Sequence, residues 1–137
     1  MSDITITRLT KHIGAEISGV DLGKPLARSE ENAIYNALIA HCVVFFRDQD
    51  IDPSHHLAFA RSFGEIDQPH PVYEHVEGYE AIVKLANDSK NPPDTNEWHT
   101  DLTFKQNPAF ASILVAREVP DVGATRYGQA CMPPMML

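Results

Sequence analysis

Short segments with strand character dominate this 137-residue chain, and only two segments show helical periodicity. The helical segments do not alternate with the strands one for one, so the pattern argues against repeated βαβ units and a parallel sheet. No internal repeat is present. The sequence predicts a mainly β fold with two flanking helices, of the α+β class, and the length suits one domain with a modest core.

The strand predictions rest on two kinds of pattern. Residues 4–22 alternate apolar and polar side chains, with Gly14 and Gly19 as turn or bulge points, which predicts short strands. Val43 to Phe46 is a continuous β-branched and aromatic run, so we expect a buried strand there. Further strands are predicted at 81–85 and 110–116.

The first helix is predicted to begin after Ser29, a plausible N-cap. Glu30 and Glu31 would then lie in the first turn, where the helix dipole favours negative charge. Its inward face would carry Ile34, Ala37, Leu38 and His41.

The second helix is predicted to begin at Pro53, with Asp52 as its N-cap, and to end at Gly64. His55 and His56 fall in its first turns and point about 100° apart, so they make a poor metal pair and are expected to be solvated. The inward face would carry Leu57, Ala60 and Phe63.

Charge and cysteine content exclude several classes of protein. The net charge of −8 argues against nucleic acid or an anionic membrane as a partner, because both need a basic face. Cys42 and Cys131 form no disulfide framework, and Cys42, beside an apolar run, is expected to be a buried thiol. The N-terminus has no apolar signal region and no stretch is long enough to span a membrane, so we expect a cytoplasmic protein. The oligomeric state, including a homo-oligomer, stays open.

A histidine and a carboxylate stand two residues apart in the segment from Trp98 to Phe104. On an extended backbone, His99 and Asp101 project to the same side. An imidazole and a carboxylate are two of the three ligands in the facial triad of non-haem Fe(II) oxygenases. The spacing alone is a weak signal in a chain with seven histidines and nineteen acidic residues, so a surface or capping pair is the alternative.

Five motifs in order carry a wider resemblance that runs almost from the N-terminus to Gly123. They are His12 to Leu22, Val43 to Gln49, Phe63-Gly64-Glu65 with His70 to Tyr73, Asn91-Pro92-Pro93, and Trp98 to Phe104. Together they resemble the N-terminal half of the taurine dioxygenase (TauD/TfdA) family of Fe(II)- and 2-oxoglutarate-dependent dioxygenases. The resemblance implies part of a double-stranded β-helix, or jelly roll, whose mouth holds the metal.

The resemblance also implies roles for individual residues. His99 and Asp101 would be iron ligands, with 2-oxoglutarate and O2 as cosubstrates. His70 and Tyr73 correspond to residues that contact the sulfonate of the substrate, although a loop histidine beside a half-buried tyrosine is the alternative. Thr95 stands where close relatives carry an asparagine near the substrate amine, which puts taurine itself in doubt. Trp98 is either a pocket wall or, as we expect, a core aromatic.

The implied reaction is hydroxylation of taurine or a related small sulfonate, followed by release of sulfite. A family member acting on alkyl sulfates or aryloxyacetates is one alternative. A non-catalytic remnant that binds nothing specifically is another. Substrate-dependent formation of succinate would separate the two enzymatic alternatives, and the metal content and solubility of the 137-residue chain would distinguish the remnant.

Residues 1–123 are therefore predicted to be the N-terminal part of the dioxygenase domain, and residues 124–137 to be an aberrant tail. Three of the four methionines fall in the tail, which has no acidic residue. Inserting one nucleotide into a permitted coding string after Gly123 restores Gly-Gly-Asp-Thr, the family's pattern, so we hypothesise a frame slip or a sequencing error. The second iron histidine and the arginines for 2-oxoglutarate and sulfonate would then be missing, and the chain alone is expected to be inactive.

Overall fold

The computed structural model describes residues 3–68, 72–86, 97–100, 104–119 and 121. The chain forms two compact units. The first comprises Met1–Ile51 and Val115–Leu137, and the second comprises Asp52–Leu114. The elements in order are β1 (Thr5–Arg8), β2 (Ala15–Ser18), α1 (Arg28–His41), β3 (Val44–Phe45), α2 (Pro53–Arg61), β4 (His75–Val76) and β5 (Tyr79–Val83). Short strands with two helices are thus the architecture of the described residues, as predicted. The tail 124–137 lies outside them.

The first unit contains a three-stranded sheet in the order β1-β2-β3. β1 and β2 pair antiparallel, from Thr5 opposite Ser18 to Arg8 opposite Ala15, and β2 pairs with β3 in parallel. Gly14 and Gly19 flank β2 with φ of 88° and 80°, a left-handed backbone that favours glycine. The predicted glycine turn points are therefore confirmed.

Helix α1 begins one residue before the predicted cap. Ala27 is the N-cap, so the prediction of Ser29 is wrong. A Glu30 side-chain oxygen accepts a 2.7 Å hydrogen bond from the Ala27 backbone N–H. This contact is one of the two hydrogen bonds of a capping box. It explains how the helix can start on a residue without a capping side chain.

The core of the first unit forms where α1 packs against the sheet. Ile17 of β2 and Ile34 of α1 are its largest fully buried side chains, and Ile34 is only 2% exposed. The other buried side chains of this unit are Ala15, Leu22, Ala37 and Ile51. Leu38 and His41, also predicted to face inward, are half-buried.

The buried-strand prediction for Val43 to Phe46 is wrong in two respects. β3 spans only Val44–Phe45, and Phe45 is 42% exposed. The strand order places β3 at an edge of the sheet, so within the described residues it pairs on one side only. Cys42 is exposed as well, because it caps α1 in a left-handed conformation (φ 65°) beyond the helix's inward face.

In the second unit, α2 begins as predicted. Asp52 accepts a 2.8 Å hydrogen bond from the His55 backbone N–H, and Pro53 occupies the first turn, where a missing N–H costs nothing. The buried residue is Phe59, which the sequence analysis had not selected, and its ring meets Phe63 edge-on at 5.2 Å. The three predicted inward residues are half-buried.

β4 and β5 form an antiparallel hairpin, and α2 packs against β5. β5 spans Tyr79–Val83, two residues earlier than predicted. Residues 110–116 form no strand, so that prediction is wrong. A strand needs a neighbour for its backbone groups, and apolar composition alone does not provide one.

The 110–116 segment is linked to α2 by a side chain. A His56 ring nitrogen (Nε2) lies 3.2 Å from the carbonyl oxygen of Ile113. His56 is therefore half-buried rather than solvated, while its neighbour His55 remains 41% exposed at the side chain. In the described part of the chain, no helix is both long and apolar enough to cross a membrane.

Candidate functional site

The structure describes two of the five predicted site residues, Tyr73 and His99. His70, Thr95 and Asp101 lie outside the described residues. The shared face of His99 and Asp101 therefore stays a prediction. The described residues 97–100 form no strand, although the sequence has strand character there.

A ring nitrogen of His99 contacts the backbone of its own chain. His99 Nδ1 lies 2.9 Å from the carbonyl oxygen of Glu97, two residues earlier. A carbonyl oxygen only accepts, so Nδ1 must carry the proton, and in the neutral ring the lone pair lies on Nε2. Metal-binding histidines commonly donate their second ring N–H to a backbone carbonyl or carboxylate in this way. The tautomer of His99 therefore suits metal binding through Nε2.

Trp98, next to His99, is 71% exposed. The prediction that this indole packs in a core is wrong for the described structure. The pocket-wall alternative is untested.

Tyr73 lies in the segment that leads into β4 and is 39% exposed. A phenol is a hydrogen-bond donor and acceptor, so an accessible Tyr73 can donate to an anionic oxygen. The preceding residue, Val72, is 80% exposed, which leaves this face of the segment open to solvent.

An ion pair that the sequence analysis missed joins the two predicted site segments. Lys105 Nζ lies 2.9 Å from one carboxylate oxygen of Asp67 and 2.7 Å from the other. The hydrogen bond from Lys105 lowers the pKa of Asp67, and the backbone N–H of Gln68 adds to the effect. The two residues are 38 positions apart, so no local pattern could have indicated their contact.

The described residues do not by themselves make a metal site. No group of three or more histidine, cysteine, aspartate or glutamate side chains in the described ranges is arranged to hold an ion. His99 offers one ligand of suitable tautomer, and its predicted partner Asp101 is not among these residues. The donor types fit Fe(II), since imidazole and carboxylate are its ligands in the facial triad.

Comparison with known proteins identifies the family. The sequence profile described as the taurine catabolism dioxygenase TauD, TfdA family matches residues 5–130. The chain belongs to this family, whose members are 2-oxoglutarate-dependent dioxygenases.

Two curated relatives and one solved structure illustrate the likeness. An alkylsulfatase from Acinetobacter baylyi is 36% identical over 121 residues, which is 88% of this chain and 37% of the relative. An α-ketoglutarate-dependent sulfate ester dioxygenase from Pseudomonas putida is 35% identical over 122 residues, 88% of this chain and 40% of the relative. A taurine dioxygenase structure from Burkholderia xenovorans matches with 45% identity and a TM-score of 0.54, over 56% of this chain and 28% of that one. The chain thus spans about two fifths of the length of these curated relatives.

Proposed function

We propose that residues 1–123 are the N-terminal part of an Fe(II)- and 2-oxoglutarate-dependent dioxygenase that hydroxylates taurine or a related small sulfonate, with release of sulfite. The observation that carries the proposal is the contact between His99 Nδ1 and the Glu97 carbonyl oxygen, which suits a metal ligand and lies within the residues that match the family. Family membership alone leaves open whether that histidine is presented for binding.

The residues of this chain would divide the work. His99 through Nε2 and Asp101 through its carboxylate would hold the iron, which supplies oxygen activation and C–H hydroxylation when 2-oxoglutarate is bound. The ring of His70 and the phenol of Tyr73 would donate hydrogen bonds to the sulfonate oxygens. Thr95 would lie towards the other end of the substrate.

A second substrate class has support of its own. The two curated relatives are described as an alkylsulfatase and a sulfate ester dioxygenase. A sulfate monoester and a sulfonate both end in an SO3 group that carries one negative charge, so the same donors suit either. The Thr95 hydroxyl is also shorter than an asparagine amide and has fewer donor and acceptor sites, which weakens the case for taurine itself. Aryloxyacetates, which end in a planar carboxylate, are the third alternative.

The products distinguish the substrate classes. Hydroxylation at the carbon that bears a sulfonate yields an aldehyde and sulfite, whereas hydroxylation at the carbon that bears a sulfate ester yields an aldehyde and sulfate. We would therefore incubate the protein, extended in the family's reading frame, with taurine, a short alkyl sulfate or an aryloxyacetate. Formation of sulfite together with succinate supports a sulfonate as the substrate, and formation of sulfate together with succinate supports a sulfate ester. No succinate above the substrate-free rate with any of the three refutes the proposal.

We further propose that the whole domain is a jelly roll to which this chain contributes the first strands, and that residues 124–137 are out of frame. The first proposal is supported by the described strands and by the likeness to a solved dioxygenase. The second is supported by the change in composition after Gly123; the family match itself extends to residue 130. Re-sequencing the locus past Leu137 tests the second proposal, and it fails if no downstream frame encodes the rest of the domain.

The 137-residue chain itself allows a separate test. Because the second iron histidine and the arginine for 2-oxoglutarate are predicted to be missing, we expect it to form no Fe(II)–2-oxoglutarate complex. Anaerobic Fe(II) plus 2-oxoglutarate with the purified chain would be examined for the visible metal-to-ligand charge-transfer band. Appearance of that band, with succinate after admission of oxygen, would show that the chain assembles a complete site.

A further inference from the structure

We propose that Asp67 and Lys105 are a positioning pair that holds the segment leading to Tyr73 at a set distance from the segment that contains His99. In the proposed function these two segments bind the substrate anion and the metal. Their identity as substrate and metal segments therefore rests on that function, but the effect of the ion pair on their separation does not.

The contact geometry supports a positional role. Both carboxylate oxygens of Asp67 are within hydrogen-bond distance of the same ammonium group, at 2.9 and 2.7 Å. Both side chains are about one third exposed, at 34% for Lys105 and 35% for Asp67, so water and salt reach the pair. An exposed pair of this kind adds little to global stability. While the contact is formed, it limits how far apart its two chain segments can move.

The position of the pair in the sequence makes that restriction useful. Tyr73 follows Asp67 by six positions, and His99 precedes Lys105 by six, whereas Tyr73 and His99 are 26 positions apart along the chain. The ion pair therefore closes a second, shorter path of about twelve residues between the two segments, beside the 26-residue stretch that contains the β4–β5 hairpin.

A matched control exists in the first unit. Lys24 Nζ lies 2.7 Å from an Asp21 carboxylate oxygen, the same distance as in the proposed pair, but the two residues are only three positions apart. Removing the Lys24 charge deletes an exposed ion pair without opening a long-range connection. Loss of charge alone is thereby separated from loss of the contact between segments.

Time-resolved energy transfer within the full 137-residue chain measures the separation directly. Trp98 is the only tryptophan and serves as donor, and a small fluorophore on Val72→Cys serves as acceptor, because both positions are largely exposed. Cys42 and Cys131 are replaced by serine so that only the new thiol is labelled. The measurement requires no metal, substrate or turnover.

We expect Asp67→Asn and Lys105→Gln each to broaden the distribution of distances between Trp98 and the label at position 72. The charge swap, Asp67→Lys together with Lys105→Asp, should narrow the distribution again. The control Lys24→Gln should leave it unchanged. An unchanged width in the first two variants, with helix content intact by circular dichroism, overturns the proposal. Broadening in Lys24→Gln, or no recovery in the swap, indicates general loosening and also overturns it.

Salt provides a test that does not depend on how the variants fold. At about 1 M salt the Debye length falls to about 3 Å, so the unaltered ion pair should weaken and the distribution in the parent chain should broaden. An unchanged width in high salt contradicts the proposal. The proposed function is tested separately in the extended protein, where a lack of succinate formation with all three substrate classes refutes that function but leaves the distance result standing.

Discussion

Replacing Gly19 by alanine should destabilise the first unit more than the same change at Gly14. Both glycines flank β2 with a left-handed backbone, at φ of 80° and 88°. The penalty of about 1–2 kcal/mol for a side chain in that conformation is therefore common to both variants. The two sites differ in the space that a Cβ atom would enter.

At Gly19 the added Cβ would overlap the carbonyl oxygen of Asp3 and lie 2.9 Å from its carbonyl carbon. At Gly14 the nearest atom, Leu9 Cβ, is 3.7 Å away, an ordinary van der Waals contact. Forcing the Asp3 backbone aside also strains the first pair of the β1–β2 ladder, Thr5 with Ser18. Overpacking of this kind costs about 1–3 kcal/mol, so Gly19→Ala should lose roughly 2–5 kcal/mol and Gly14→Ala roughly 1–2 kcal/mol.

Urea unfolding followed by far-ultraviolet circular dichroism measures the free energies of unfolding, and the slope with urea checks that the compactness of the states is unchanged. Because both sites flank the same strand, other features of the chain cancel in the difference. Equal destabilisation by the two substitutions would show that the Asp3 backbone moves aside freely, and the steric argument would be wrong.

Five further substitutions test the core, a helix cap and the site. Ile34→Ala should lower the free energy of unfolding by about 2–5 kcal/mol, because the Ile34 side chain is fully buried. Ile39 on the same helix is 56% exposed, so Ile39→Ala should change that free energy by less than about 0.5 kcal/mol. Similar losses in the two variants would contradict the assigned helix face. The hydrogen bond from the His55 backbone N–H lowers the pKa of the N-cap Asp52. The contribution of the ionised Asp52 to the free energy of unfolding should therefore be complete above the ordinary pKa of 3.8 and be lost as the pH falls through the lower folded pKa. A variant with alanine at this position should lack that acid-dependent loss. In the extended protein, Asp101→Ala should abolish succinate formation, and substantial residual turnover would exclude Asp101 as the carboxylate ligand. Tyr73→Phe should raise the Michaelis constant for the sulfonate by an amount equivalent to about 1–3 kcal/mol if the phenol donates in the complex, and an unchanged constant would remove Tyr73 from the substrate site.

The sequence predicted features that depend on neighbouring residues. The start of α2 was predictable because an aspartate cap and a following proline act within one helical turn. The turns at Gly14 and Gly19 were predictable because few other residues adopt a left-handed backbone without strain. The His-x-Asp motif drew attention to His99, whose observed contact reaches only two residues along the chain.

Tertiary structure alone decided the features that depend on distant partners. The apolar run at β3 is partly exposed because the strand lies at a sheet edge, a position that its own residues do not encode. Residues 110–116 have strand composition without a strand, since a ladder needs a second chain segment in register. Asp67 and Lys105 meet across 38 positions, and each is an ordinary charged residue in its local sequence. Local pattern determines backbone preference over a few residues, whereas burial, pairing and charge contacts arise only when folding brings remote segments together.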